Sequence, residues 1–247
     1  MINQYFFEVF EAVPRQGPGS KTETVKAFNL ADELPNNPVI LDVGCGKGKQ
    51  TLDLAAISDG HITAMDMHQP FLLELQKVIR KKNLQHRIST LVGDMASLPF
   101  VENQFDMIWA EGSIYIIGYH RAMSEWKKYL QTKGYLVFTD CVWMQENPPL
   151  ELVKYWNNEG LKLPTINQIK EKAVESGYEV ITHFTLSHAS WRKEFYDHID
   201  KVLEVVKQKY KGNVEAQDTF FAIDKEIEVF DKYHEYFGYE FFVLKCM

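Results

Sequence analysis

Leu41-Asp42-Val43-Gly44-Cys45-Gly46-Lys47-Gly48 decides the fold. A β-branched apolar run from Val39 to Val43 enters a glycine-rich turn, and a helical period follows from Gly48 to Ser58. Glycines at alternate positions let the backbone turn sharply and approach a ligand, and the helix that follows offers its unpaired amides and positive dipole end. A dinucleotide-binding turn reads Gly-x-Gly-x-x-Gly, with the third glycine admitting the helix against the strand. Here that third position is Lys49, and Asp42 stands two residues before the first glycine, an unfavourable neighbour for a pyrophosphate. A ligand with an ammonium group and no phosphate suits the turn better.

Outward from the turn, short apolar runs alternate with helical periods. Runs at His61 to Met65, Ile88 to Val92, Phe105 to Ala110 and Tyr135 to Thr139 are separated by helical stretches at Pro70 to Lys82 and Tyr119 to Leu130. Strand and helix in alternation predict a doubly wound α/β sheet with parallel strands and crossover helices. Tyr178 to Leu186 and Tyr239 to Leu244 read as two further strands. Between them lie amphipathic stretches, Trp191 to Tyr210 and Val214 to Tyr236, predicted to cap the carboxyl edge of the sheet.

The N-terminal segment opens with an aromatic amphipathic stretch, Asn3 to Phe10, and a loop, Pro14 to Gly19. Ser20-Lys21-Thr22-Glu23 has the form of a capping box opening a helix to about Phe28, and Thr165-Ile166-Asn167-Gln168 has it again for a helix to Ser176. Asn147-Pro148-Pro149 predicts a helix start with proline in its first turn. Followed by Leu150, and lying past the fifth strand, it has neither the aromatic residue nor the position of the Asn-Pro-Pro motif of amino-methylating DNA enzymes.

Ordered pieces downstream strengthen the reading of the turn. Asp66 ends the second strand about 20 residues beyond the glycines, where an acid can hold both ribose hydroxyls. Gly93-Asp94-Met95 follows the third strand, Leu98-Pro99-Phe100 and Gln104-Phe105-Asp106 lead into the fourth, and Gln131-Thr132-Lys133-Gly134 leads into the fifth. Together with the glycine turn, this series resembles the class I S-adenosylmethionine (SAM)-dependent methyltransferases, type 11, the ubiquinone/menaquinone-methyltransferase-like small-molecule branch. Arg15 to Ser20 and Glu111 to Gly118 resemble a bacterial group within it.

The resemblance implies a Rossmann-like, doubly wound, seven-stranded sheet, mostly parallel with an antiparallel last strand, and a helical cap between strands six and seven. It implies one methyltransferase domain over 1–247: a lid at 1–37, a SAM-binding core at 38–187 and 238–247, and a cap at 188–237. The implied cofactor contacts are Asp42, Gly44, Cys45 and Gly46 at the turn, Asp66 at the ribose, and Met67 on one adenine face. Asp94 takes the adenine amino group, the Met95 amide a ring nitrogen, and Glu111, at the methyl-donating edge, receives the methionine ammonium through its own backbone oxygen or that of Ala110. Should the acceptor arrive protonated, the candidate bases are Glu111, Tyr115 and His188, with His120 and His198 behind them.

Composition bounds the partners. There are 27 Lys and Arg against 34 Asp and Glu, a net charge of -7, without the basic stripe of a nucleic-acid-binding surface. Three dispersed cysteines exclude a disulfide framework and a structural zinc site. The N-terminus does not read as a signal peptide, and no apolar run approaches the roughly 20 residues of a membrane span, so a cytoplasmic protein without membrane insertion is expected. The expected partner is a small-molecule acceptor, and the cap helices suit either a monomer or a homodimer. An NAD(P)-dependent oxidoreductase on a Rossmann sheet and a non-catalytic SAM-binding protein are the alternative readings.

Overall fold

In a computed structural model that describes residues 3–247, the apolar runs become the strands of one sheet: β1 (Val39–Val43), β2 (His61–Asp66), β3 (Ile88–Val92), β4 (Phe105–Ala110), β5 (Leu130–Trp143), β6 (Tyr178–Thr185) and β7 (Phe237–Cys246). Their spatial order is β3-β2-β1-β4-β5-β7-β6. The first five strands run parallel, while β7 lies antiparallel to both β5 and β6. Alternating side chains feed two cores, one on each face. Ile40, Met107, Trp109, Val137 and Phe241 face one way, and Leu41, Ile108, Leu136, Phe138 and Phe242 the other.

The helices are α1 (Gln4–Ala12), α2 (Lys21–Asn29), α3 (Lys49–Ile57), α4 (Gln69–Lys81), α5 (Tyr119–Trp126), α6 (Leu150–Asn158) and α7 (Ile166–Glu175). Between β6 and β7 come α8 (His188–Trp191), one π-helical turn (Arg192–Tyr196), α9 (Asp197–Lys209) and α10 (Val214–Tyr233). Helix α1 packs on α9 and α10, so the N-terminal segment and the helices between β6 and β7 share one apolar layer. Among the described residues, no helix is long and apolar enough to cross a membrane. Met1 and Ile2 of the predicted 1–37 segment lie outside the described residues.

Local signals differ from the structure at three points. Thr165 and Gln168 form the expected reciprocal capping box. Ser20 caps α2 through the Glu23 amide, but the Glu23 carboxylate accepts the Ser20 hydroxyl at 2.7 Å rather than the Ser20 amide, and its other oxygen accepts the Ser187 amide at 2.7 Å at the start of α8. Pro149 sits at the N-cap of α6 rather than in its first turn. The predicted turn at Gln131 to Gly134 is absorbed into a long β5, with Lys133 at φ 66° and a register shift opposite Phe105 and Met107 marking a bulge. Asp106 accepts the Val39 amide at 2.8 Å and so fixes β4 to the start of β1.

Candidate functional site

The turn after β1 is built as its glycines require. Gly44, Gly46 and Gly48 have φ of 70°, 54° and 73°, in the left-handed region that penalises a Cβ. Every amide from Gly44 to Gly48 is already committed within the protein. Those of Gly44 and Cys45 donate to the Met65 carbonyl, that of Lys47 to Gln16 Oε1, and that of Gly48 to the Cys45 carbonyl. The remaining one, Gly46 N–H, donates to Asp66 Oδ2 at 2.8 Å, while His68 N–H donates to Oδ1 at 2.8 Å. No amide of the turn is left to cradle a phosphate, and a carboxylate is clamped beside it. Burial raises the Asp66 carboxyl above its ordinary value against the pull of these two amides.

Asp42 is fully buried beneath the turn. It accepts the Thr51 hydroxyl at 2.5 Å and Gln50 Nε2 at 3.4 Å, so its side chain ties the first turn of α3 to β1. Burial pushes it up to about 7. A raised folded-state value means the stability linked to Asp42 is complete below the unfolded carboxyl range and is lost as pH rises through about 7. Asp42→Asn is therefore expected to flatten the fall of stability between pH 5 and 8 by at least about 1 kcal/mol, read from denaturant midpoints across pH. A variant with the wild-type slope contradicts this assignment.

The carboxyl ends of β2 and β3 carry the other residues of the shelf. Met67 is 71% exposed. Asp94 is also exposed and accepts the Ala96 amide at 2.8 Å, forming a turn past β3. Met95 lies against the second core, its carbonyl accepting Trp126 Nε1 at 3.1 Å. Cys45 is buried, as are Cys141 and Cys246. Gly46, Asp66, Met67, Asp94 and Met95 thus share one edge of the sheet, because β1, β2 and β3 are parallel neighbours.

Glu111 leaves β4 into the protein rather than toward a cavity. Its carboxylate, 1% exposed, pairs with Arg15 and accepts Thr24 Oγ1 at 3.0 Å and Trp109 Nε1 at 3.1 Å. Burial raises this carboxyl, and Arg15 opposes the rise. The pair fastens the Pro14 to Gly19 loop across the sheet edge, where Gln16 grips the glycine turn and Gly17 lies on Gly112.

Beside the glycine turn, between that loop, the carboxyl edge and the helices after β6, is a cavity of about 390 Å³. Of the three predicted acid–base residues only Tyr115 lines it. Burial of its hydroxyl and the nearby Glu226 and Asp140 carboxylates push Tyr115 up to about 12. His188 lies outside, stacked on Phe230 at 5.3 Å and beside His234. His120 is at this cavity, on the exposed start of α5, and His198 is not. Trp156 and Trp191 contribute walls.

Two acids of the cavity escape sequence reasoning. Asp140 lies inside the apolar stretch of β5, and an acid in the run Val137-Phe138-Thr139-Asp140-Cys141-Val142 is the signal that marks it. Glu226 lies among other acids of α10 and carries no local signal. Among the described residues no group of three or more His, Cys, Asp or Glu is placed to hold a metal ion.

Comparison with known proteins places this architecture. The chain is 31% identical over 102 residues to the glycine/sarcosine/dimethylglycine N-methyltransferase of Actinopolyspora halophila, covering 41% of this chain and 18% of that protein. It is 24% identical over 176 residues to a sterol 24-C-methyltransferase of Pneumocystis carinii, covering 68% and 47% respectively. The chain thus spans less than half the length of these two relatives. A SAM-dependent methyltransferase from Geobacter sulfurreducens, solved with S-adenosylhomocysteine, superposes with a TM-score of 0.83 at 17% identity over 100% of this chain and 99% of that one. The profile of the methyltransferase domain family matches residues 35–211, from just before β1 into the loop after α9. The chain belongs to the methyltransferase domain family.

Proposed function

We propose that this protein transfers the methyl group of SAM to a small-molecule acceptor held in the cavity between the helices after β6 and the carboxyl edge. The observation that carries this reading is the glycine turn itself: its amides are all committed, and Asp66 is clamped against it. Such a turn disfavours the pyrophosphate of a dinucleotide and suits a nucleoside whose ribose hydroxyls need a carboxylate. Each Asp66 oxygen, holding one amide, retains acceptor capacity for a hydroxyl.

Asp66 holds the ribose, Met67 covers one adenine face, and Asp94 with the Met95 amide reads the adenine edge. Gly44, Cys45 and Gly46 form the wall at which the methionine portion lies, its ammonium group received by the backbone oxygen of Ala110 or Glu111. Asp42 serves indirectly, by fixing α3. When bound, SAM supplies an electrophilic methyl group: the acceptor's electron pair forms the new bond to carbon while the carbon–sulfur pair returns to sulfur. The protein's share is alignment and exclusion of water. Glu111 acts through Arg15 by keeping the N-terminal loop closed. Tyr115 stays protonated near neutrality and orients the acceptor as a hydrogen-bonding group. His188 is given no part in the chemistry.

The relatives named above act on a glycine nitrogen and on a sterol carbon, both small molecules, and the enclosed volume agrees with an acceptor of that kind. The whole is read as one domain, with 1–37 as lid, 38–187 and 238–247 as core, and 188–237 as cap, in a cytoplasmic protein. Asp66→Ala is expected to weaken SAM binding by about 1–3 kcal/mol, the worth of charge-assisted hydrogen bonds. Calorimetric titration of a folded variant reads this directly, and unchanged affinity removes the ribose assignment.

A further inference from the structure

We infer that the acceptor is an amine, received as a cation by the Asp140 carboxylate and the aromatic walls of the cavity; the inference rests on the methyltransferase reading above. Asp140 is 4% exposed, yet lines the cavity. Its Oδ1 accepts the Cys141 amide at 2.8 Å, and its Oδ2 has no hydrogen-bond partner or ion pair among the described residues. An acid so buried and so poorly paired is costly unless a counter-charge arrives. Glu226 reaches the same cavity from α10 with one oxygen on the Tyr196 hydroxyl at 2.8 Å.

Two further observations agree. Phe6, Tyr115, Trp156, Trp191, Phe195 and Tyr239 supply ring walls, and aromatic rings attract ammonium groups. A second cavity of about 340 Å³ adjoins the first through Phe6, Trp156, Leu161 and Glu226, and is lined by Glu159, Glu215 and Asp218 with no Lys or Arg. Its carboxylates favour a cation beside the first cavity. A hydrocarbon acceptor leaves these groups unanswered, and an anionic acceptor meets repulsion from Asp140 and Glu226.

The same carboxylate gives the nitrogen its lone pair. An alkylammonium carries no free electron pair; Asp140 Oδ2 accepts its proton, becoming a neutral carboxyl and leaving the amine nucleophilic, and the proton then passes to water at the mouth. Burial holds Asp140 up at about 7, where it exchanges a proton near neutrality. The groups facing it, Tyr115, Tyr119, Cys141 and Tyr239, are all pushed upward by burial and remain protonated there. Burial also raises Glu226, and His120 and Lys162 complete the charged groups of the cavity.

Calorimetric titration with benzyltrimethylammonium against its uncharged isostere neopentylbenzene tests this, with S-adenosylhomocysteine titrated in parallel. The cation is expected to bind at least about tenfold tighter, with the preference growing between about pH 6 and 8 as Asp140 ionises. Asp140→Asn is expected to erase that growth and most of the preference. Glu226→Gln, which leaves Asp140 in place, is expected to reduce the preference while keeping its pH dependence. Equal affinity for the two probes, or an Asp140→Asn protein that keeps the pH-dependent preference, overturns the amine assignment. Failure of S-adenosylhomocysteine to bind a protein that still prefers the cation strikes the methyltransferase reading instead.

Discussion

Glu111→Ala is expected to lower stability by about 3–5 kcal/mol, the loss typical of removing one partner from a buried ion pair. The wild-type carboxylate is 1% exposed and its Arg15 partner 9% exposed, so the variant strands a guanidinium with little access to water. Thr24 and Trp109 lose an acceptor in the same step. The damage should extend beyond stability. Arg15 fastens the loop that carries Gln16, and Gln16 accepts the Lys47 amide at 2.8 Å while donating to the Phe10 and Val13 carbonyls. Denaturant unfolding, with protease cutting in the Pro14 to Gly19 loop as a local probe, measures both. Unfolding at the wild-type midpoint with an intact loop shows that the pair does not hold the loop.

Gly44→Ala should cost about 2–5 kcal/mol, from two sources that add. A φ of 70° charges alanine roughly 1–2 kcal/mol for the left-handed conformation. The new Cβ would stand 2.5 Å from Ser113 Cβ, and Ser113 is not free to retreat because its hydroxyl donates to the Val43 carbonyl at 2.7 Å. Overpacking of this kind adds about 1–3 kcal/mol. Gly212→Ala is the control: φ is 90°, but nothing lies within 4 Å of the new atom, so only the conformational part remains. Equal losses at the two positions contradict the packing account of the turn.

The parts of the fold set by neighbours in sequence are the parts legible without coordinates. The run into Gly44, the alternation of strand and helix, and the Thr165 capping box all follow from local period and backbone chemistry. So does the shared edge of Gly46, Asp66 and Asp94, once parallel order is assumed. What was illegible depends on distant packing. Glu111 read as an acid at the reacting edge, yet Arg15, far away in the chain, draws it inward. His188 read as a residue facing the site, but the start of α8 turns it onto Phe230. Asp140 has the opposite fate: it reads as one residue of a strand, and the helices after β6 and α1 close a cavity over it. Glu23 shows the same effect on a small scale, since its carboxylate takes the distant Ser187 amide and the Ser20 hydroxyl in place of the Ser20 amide of a capping box.

The central claim is that the committed glycine turn and its clamped carboxylate serve a nucleoside sulfonium rather than a dinucleotide. Calorimetric titration of the ligand-stripped, folded protein with SAM, and separately with NADH, tests it most directly. Micromolar SAM binding with no detectable NADH binding is the predicted result. A folded protein that leaves SAM unbound, or that takes NADH at micromolar concentration, contradicts it.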